Sequence, residues 1–173
     1  MTKLSLSDKD REKARQAALR KLSVRDRTEK EILDFLREAG CTAEEAAEIT
    51  AEFREWGYID DEKYCLRYFE YSKSKGKASA RIMRELVQKG ISAEKARDVL
   101  EELTDRSSDD REAAMSVGMK MAANQADLGK AIDDRFLARV GRRLAGLGYD
   151  SNTCYYVIGK IRDYGKERER EDE

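Results

Sequence analysis

The sequence predicts an all-α protein built as a tandem array of three three-helix repeats, elongated and curved. The chain of 173 residues contains no proline, so no fixed φ angle or missing backbone N–H interrupts a long helix. Apolar residues recur at spacings of three and four, which places them on one face of a helix. The same pattern returns around three glycines, Gly40, Gly90 and Gly148, which indicates an internal repeat.

Apolar residues keep their positions when these three glycines are aligned. The residues shared by the helices before the glycines are Ile32 and Leu36, Ile82 and Leu86, and Val140 and Leu144. The residues shared by the helices after the glycines are Ala46, Ile49 and Phe53; Ala96, Val99 and Leu103; and Cys154, Val157 and Ile161. Each glycine therefore stands where the first helix of a pair ends in the left-handed conformation.

Helix starts are marked by capping residues. Thr28 with Glu31 and Thr42 with Glu45 have the spacing of capping boxes, in which side chain and backbone satisfy each other reciprocally. Ser92 is placed as an N-cap in the second repeat. These residues predict that helices begin directly after positions 28, 42 and 92.

A further amphipathic helix precedes each of these pairs, which gives about nine helices in total. The first runs from about Arg11 to Leu22; the second follows Asp60 and Asp61, whose carboxylates are N-capping groups; the third follows residues 107–109. The apolar residues of the third are Met115, Val117, Met119 and Ala122. The predicted boundaries are an N-terminal tail at 1–10, repeats at 11–60, 61–106 and 107–165 with an insertion around 124–130, and a charged tail at 166–173.

Composition excludes several classes of function. The chain has no histidine, which removes the commonest general base, the imidazole metal ligand and every Ser–His or Cys–His nucleophile pair. Cys41, Cys65 and Cys154 match no metal-binding spacing. We expect no enzyme, no metal and no cofactor. Without a signal peptide or an apolar stretch long enough to span a membrane, we expect a reduced, cytoplasmic protein.

Most cysteines and aromatic residues are expected to be structural. Cys65 and Cys154 are predicted to be buried, whereas Cys41 is predicted to be exposed. The aromatic residues predicted to lie in the core are Phe35, Phe53, Trp56, Tyr64, Tyr68 and Phe69, with base stacking as the alternative. The pattern does not place Tyr71, Tyr155 and Tyr156.

Charge varies along the chain although the formal net charge is only −1. Residues 11–30, 63–89 and 130–143 are mainly basic, whereas residues 44–62 and 94–112 are mainly acidic. A charged helix face is ordinarily just solvated, but repetition in three units favours a basic binding stripe. The densest basic cluster surrounds Gly76 and lacks the pattern of a phosphate loop.

The sequence resembles the RecX family of recombinase regulators between about residues 15 and 162. The first matching run is Ala18-Leu19-x-x-Leu22-x-x-Arg25-x-Arg27-Thr28-x-x-Glu31. The second is Gly57-Tyr58-Ile59-Asp60-Asp61-Glu62-x-Tyr64. The third is Lys75-Gly76, followed by Arg81-Ile82-x-x-Glu85-Leu86-x-x-Lys89-Gly90-Ile91. The third repeat resembles the family more weakly, through Gly148 and its flanking apolar residues.

The resemblance implies a non-enzymatic regulator that binds the RecA filament on single-stranded DNA and lowers its ATPase and strand-exchange activities. We separately expect a monomer, although the sequence does not fix the oligomeric state. The resemblance leaves open weak direct binding to DNA, and inhibition rather than stimulation is an expectation only. An array of repeats can span adjacent RecA protomers, so that several weak contacts act together. The basic residues expected to face the filament are Arg20, Lys21, Arg25, Arg27, Lys73, Lys75, Lys77, Arg81, Arg84, Lys89, Arg135, Arg139, Arg142 and Arg143.

Two other functions remain open. A three-helix unit can carry a helix-turn-helix that reads DNA sequence, but the third helices begin with Ala-Glu-Glu and Ala-Glu-Lys, which suits a major groove poorly. A scaffold that binds proteins unrelated to RecA is the other alternative. An enzyme is the least favoured interpretation because no catalytic constellation is present.

Overall fold

The structure of the chain is a computed structural model that describes residues 7–104 and 110–171. Within these ranges it contains nine α-helices and no β-strand, which confirms the all-α prediction and the three-helix repeat pattern. The helices are α1 (Asp8–Val24), α2 (Glu29–Glu38), α3 (Ala43–Glu55), α4 (Asp61–Ser74), α5 (Ser79–Gln88), α6 (Ala93–Thr104), α7 (Asp110–Asp127), α8 (Asp134–Leu147) and α9 (Ser151–Glu171). The expected boundary between residues 106 and 107, and residues 1–6 of the expected N-terminal tail, lie outside the described residues.

Helix starts follow the predicted capping residues. The backbone N–H of Glu31 donates to Thr28 Oγ1 at 3.1 Å, and the N–H of Thr28 donates to the Glu31 carboxylate at 3.2 Å. Thr42 and Glu45 form the same reciprocal pair, and Ser92 Oγ accepts from the N–H of the third residue of its helix. Three helix starts thus have the geometry that their sequence requires.

The aligned glycines all end helices with the same hydrogen-bonded turn. Gly40, Gly90 and Gly148 have φ of 105°, 93° and 95°. The N–H of the residue after each glycine donates to a carbonyl five residues earlier, as Cys41 does to Leu36 at 3.1 Å. This is the Schellman motif, in which an apolar residue after the glycine packs back onto the helix it ends.

The chain divides into two compact units. The first comprises the described residues up to Tyr68 together with Glu85–Val99, and the second comprises Phe69–Arg84 and the described residues from Leu100 onward. The first unit has a core of small residues on α1 and larger residues on α2 and α3: Ala14, Ala18, Ile32, Leu36, Cys41, Ala46, Ile49, Phe53 and Ile59. These include all the residues predicted for the first helix pair.

The core of the second unit is formed mainly by α7, α8 and α9. The predicted residues Val140, Leu144, Val157 and Ile161 are buried in it. On α7, however, the fully buried positions are Ala114, Gly118 and Ala122, whereas the predicted Met115, Val117 and Met119 are only half-buried. The reason is a close helix approach: a Cβ on Gly118 would lie 2.5 Å from Val157 Cγ1, so only small residues fit along this face.

Two predictions about burial were wrong. Cys41, predicted to be exposed, is 2% exposed, because the residue after the Gly40 turn is directed back into the core. Trp56, predicted to lie in the core, is 52% exposed; it is the C-cap of α3 and follows Phe53, the last buried residue of that helix. The unplaced residues Tyr71, Tyr155 and Tyr156 are all exposed.

Helix α1 begins earlier than predicted. It starts at Asp8 rather than near Arg11, with Ser7 Oγ as the cap that accepts from the N–H of Asp10. The two aspartates of its first turn complement the positive end of the helix dipole. Apolar periodicity predicts a later start because the first turn of α1 contains only charged residues.

Candidate functional site

A groove in the second unit brings basic side chains together above an apolar floor. Its volume is ≈ 610 Å³. The lining residues come from the end of α4, from α7 and from α8: Lys73, Ser74, Lys75, Gly76, Glu112, Ala113, Ser116, Val117, Lys120, Met121 and Arg143. We refer to this site as the basic groove. Four cations and one carboxylate line it, so it favours an anionic partner.

The turn between α4 and α5 is held rigidly at the edge of the groove. Gly76 has a φ of 75°, and a Cβ there would lie 2.8 Å from Val117 Cγ2. The hydroxyl of Tyr149 donates to the Gly76 carbonyl at 3.0 Å. Burial, with a smaller contribution from the Asp110 charge, raises the pKa of Tyr149 to about 12, so the phenol remains a donor at neutral pH. Lys75, next to Gly76, is therefore presented by a fixed backbone.

Lys73 is held inside the second unit by an ion pair. Its ammonium contacts the Asp110 carboxylate, and the lysine side chain is only 16% exposed. The same carboxylate accepts from the Ser79 N–H at 3.0 Å and from the Ser79 hydroxyl at 2.9 Å. Burial would raise the pKa of Asp110, but the hydrogen bonds from Lys73 and Ser79 together lower it below its ordinary value. This network joins the starts of α5 and α7.

Replacing Asp110 with asparagine should lower the free energy of unfolding by about 1–2 kcal/mol at pH 7, because a half-buried ammonium loses its partner. A carboxyl whose folded pKa is lowered stabilises the protein above its unfolded pKa of about 3.9 and loses that effect as the pH falls through the folded value. The gap between the two proteins should therefore shrink below about pH 4. Urea unfolding at pH 7, 5 and 3 measures it, and a gap that is constant with pH would contradict the assignment.

The exposed cations of the groove are Lys75, Lys120 and Arg143. Among the described residues, no carboxylate lies within ion-pair distance of any of the three. Lys75 Nζ lies 5.3 Å from the ring centroid of Tyr71, an exposed aromatic residue one turn away on α4. The floor between these charges is apolar, formed by Ala113, Val117 and Met121. Such a surface can contact both charged and apolar groups of a partner.

Comparison with known proteins gives the same family at the level of sequence. A family model described as "RecX, first three-helix domain" matches residues 14–52. The regulatory protein RecX of Salmonella paratyphi A (strain ATCC 9150 / SARB42) is 36% identical over 95 residues, which is 49% of this chain and 57% of that protein. The regulatory protein RecX of Escherichia coli (strain K12 / DH10B) matches with the same identity and coverage.

Solved structures agree over most of the chain. The crystal structure of RecX from Lactobacillus salivarius has a TM-score of 0.68 at 24% identity, covering 90% of this chain and 99% of that one. A crystal structure of a regulatory protein RecX has a TM-score of 0.63 at 26% identity, covering 89% of this chain and 72% of that one. The chain is therefore similar to RecX proteins in sequence over part of its length and in fold over most of it. It spans 57% of the length of the curated relatives that it matches.

The other six basic residues predicted in the second unit do not line the groove. Arg81 donates to the Gly146 carbonyl, and Arg139 donates to Gln125 Oε1 at 2.8 Å, so both make contacts within the unit. Lys77 is half-buried. Exposed side chains outside the groove lining are those of Arg84, Arg135 and Arg142. Of the nine residues predicted here, the groove brings together Lys73, Lys75 and Arg143.

The predicted residues of the first unit do not form one site. Lys89 lies 3.8 Å from the Glu31 carboxylate and over the rings of Tyr64 and Tyr68, and Lys21 lies over Phe35. Arg20 and Arg25 are exposed, and Arg27 is half-buried in a separate cavity. Charge density along this sequence thus does not distinguish cations that stabilise a unit from those that face solvent.

Sequence reasoning missed Lys120. It is the one basic residue in an otherwise uncharged run of α7, so it raised no local charge density. The available signal was its position three residues after Val117, on the same side of α7 as the groove floor. Across the described ranges, no group of Cys, Asp or Glu is suited to hold a metal ion. None of the described helices is long and apolar enough to cross a membrane.

Proposed function

We propose that this chain binds the RecA filament on single-stranded DNA and lowers its ATPase and strand-exchange activities, as a monomeric, non-enzymatic regulator in the cytoplasm. Similarity to proteins that carry the name regulatory protein RecX supports the regulatory role. The observation that carries the proposal is the basic groove, in which Lys75, Lys120 and Arg143 surround an apolar floor. Its chemistry fits an acidic protein surface or the DNA phosphates within the filament.

The apolar floor favours the filament over bare DNA as the partner. Contacts to a DNA backbone are made by cations and hydrogen-bond donors. The side chains of Val117 and Met121 are neither, so they would gain no contact with DNA phosphates. Apolar contacts surrounded by charges are instead the usual composition of a protein interface, where the charges guide association and the apolar part is desolvated. The net charge of −1 also disfavours strong binding to free DNA. Weak direct DNA binding is a secondary part of the proposal.

Sequence-specific DNA reading is a weaker candidate. A recognition helix needs Arg, Asn or Gln near its N-terminus to contact base edges. The N-terminal turns of α3 and α6 instead expose Glu44 and Glu94. Carboxylates at these positions would repel the phosphates that flank a major groove. Selection from random duplex DNA is expected to yield no consensus.

Reversing the charges of Lys120 and Arg143 (Lys120→Glu with Arg143→Glu) tests the proposal. The readout is ATP hydrolysis by RecA on single-stranded DNA during titration of this protein. We expect the natural sequence to inhibit at less than one molecule per RecA protomer. The double variant should need at least about tenfold more protein, corresponding to about 1.4 kcal/mol of lost binding, because attraction becomes repulsion.

A matched control is Lys166→Glu with Arg170→Glu, which makes the same charge change on exposed residues of α9 outside the groove. It should inhibit like the natural sequence, and helix content by circular dichroism should be equal in all three proteins. Equal inhibition by the groove variant would refute the role of the groove. Absence of inhibition by the natural sequence, or inhibition that only parallels binding to bare DNA, would refute the proposed function.

A further inference from the structure

Two sequence motifs that the proposed function does not use meet at one cavity in the first unit. Residues 25–31 and 57–64 are separated along the chain, yet both contribute to its lining. The lining residues are Asp26, Arg27, Gly57, Tyr58, Asp60, Lys63, Tyr64 and Arg67. The cavity has a volume of ≈ 180 Å³. A single water occupies only about 10–15 Å³ when volume is measured in this way, so the cavity can hold a larger group. We refer to this site as the motif cavity.

The two carboxylates of the motif cavity already have cationic partners. Arg67 forms an ion pair with Asp26. Lys63 Nζ lies 3.3 Å from Asp60, and the Lys63 backbone N–H donates to the same carboxylate at 3.0 Å. That backbone hydrogen bond is the main cause that lowers the pKa of Asp60, so this carboxylate is ionised and engaged at neutral pH. Both negative charges are therefore compensated within the cavity wall.

Arg27 is the cation of the motif cavity that has no carboxylate partner among the described residues. Three cationic and two anionic side chains line the cavity, which leaves one net positive charge. Among the residues that the structure describes, no carboxylate lies within ion-pair distance of Arg27. Its Nε is shielded from solvent and has no hydrogen-bond acceptor within the described residues. A ligand in the cavity cannot reach this shielded atom, so it would contact the two terminal NH₂ groups of the guanidinium, which are not shielded in this way.

The size and the lining residues of the cavity indicate which kind of anion could bind there. The cavity has room for a group of several atoms, and a guanidinium matches the oxygens of phosphate through paired hydrogen bonds. Tyr58, 56% exposed, and Tyr64 add phenol hydroxyls that can donate to phosphate oxygens. Lys63 and Arg67, which pair with Asp60 and Asp26, each have further N–H groups that can donate hydrogen bonds. We propose that the motif cavity binds a phosphate group, with Arg27 as its principal ligand.

Titration calorimetry with inorganic phosphate at fixed ionic strength, with chloride as the reference anion, tests this site. The natural sequence should give a saturable isotherm, and Arg27→Gln should weaken phosphate binding at least tenfold. Arg20→Gln, which removes the same charge from an exposed position on α1, should leave it unchanged. The side-chain Nε–Hε NMR signal of Arg27 should shift during the titration. A flat isotherm, or equal binding by Arg27→Gln, would overturn the proposal and leave solvent as the occupant.

Further experiments identify the molecule that supplies the phosphate and control for misfolding of the Arg27→Gln variant. Comparing oligo(dT) with and without a 5′-phosphate distinguishes a terminal phosphate from the phosphodiester backbone, and in each case Arg27→Gln must abolish the response. If Arg27→Gln does not fold, Lys63→Gln, which changes a 70% exposed side chain at the same cavity, should still weaken binding. The variant Lys120→Glu with Arg143→Glu should bind phosphate normally, so failure of the groove proposal would not affect this one.

Discussion

Replacing Phe53 with alanine should lower the free energy of unfolding by about 3–5 kcal/mol. Phe53 is 0% exposed and lies in the core of the first unit, where its ring packs edge-on against Tyr58 at a centroid distance of 6.3 Å. Removing the ring loses its burial and leaves a cavity, because the helices around it relax only partly. Urea unfolding gives the difference.

Trp56 provides the readout for this measurement. It is the only tryptophan, and its ring centroid lies 6.3 Å from that of Phe53, so its fluorescence reports on the first unit. A control is Val24→Ala at the exposed end of α1, where we expect a change within about 0.5 kcal/mol. A loss below 1 kcal/mol for Phe53→Ala would contradict the placement of this residue at the centre of the core.

The core positions of the first helix pair are predictable from sequence for a simple physical reason. Alignment on the three glycines fixed the helix ends, and between fixed ends a spacing of three and four defines one face. Ile32, Leu36, Ile49 and Phe53 lie on this predicted face, and all four are buried. The prediction failed just where the chain leaves the helix, at Cys41 and at Trp56.

The burial of Cys41 is itself predictable from the sequence. The residue after each aligned glycine is Cys41, Ile91 or Tyr149, and all three are buried. A Schellman turn directs this residue toward the helix it ends, so the motif that explains the glycine also predicts its neighbour. The Trp56 exposure had no such signal, because an aromatic residue can extend a helix face or lie on the surface beside it.

The candidate site was less accessible from sequence. The basic groove combines the end of α4, the middle of α7 and the end of α8, and no sequence spacing gives distances between helices. Lys73 and Arg81 lie in the densest basic cluster, yet they contact Asp110 and the Gly146 carbonyl. Lys120 stands alone in sequence and lines the groove. Position in the fold, rather than local charge density, decides which cations face a partner.

Replacing Gly118 with leucine should lower the free energy of unfolding by about 1–3 kcal/mol. A Cβ at this position would lie 2.5 Å from Val157 Cγ1 and 2.8 Å from Ile161 Cδ1. The branched side chain of Val157 is stiff and cannot rotate away from the added atoms, so α7 must move apart from α9. We expect a loss near the upper end of this range. Leucine adds three carbons beyond the Cβ, on a helix face whose other buried residues are alanines.

Gly159→Ala is the control that separates packing from helix propensity. Gly159 lies within α9, and nothing lies within 4 Å of a Cβ built on it. Alanine there should raise the free energy of unfolding by about 0.5–1 kcal/mol, because glycine in a helix has more backbone freedom to lose on folding. Urea unfolding of both variants should give changes of opposite sign. A stabilising Gly118→Leu change would mean that helix propensity outweighs packing and that α7 and α9 do not approach each other this closely.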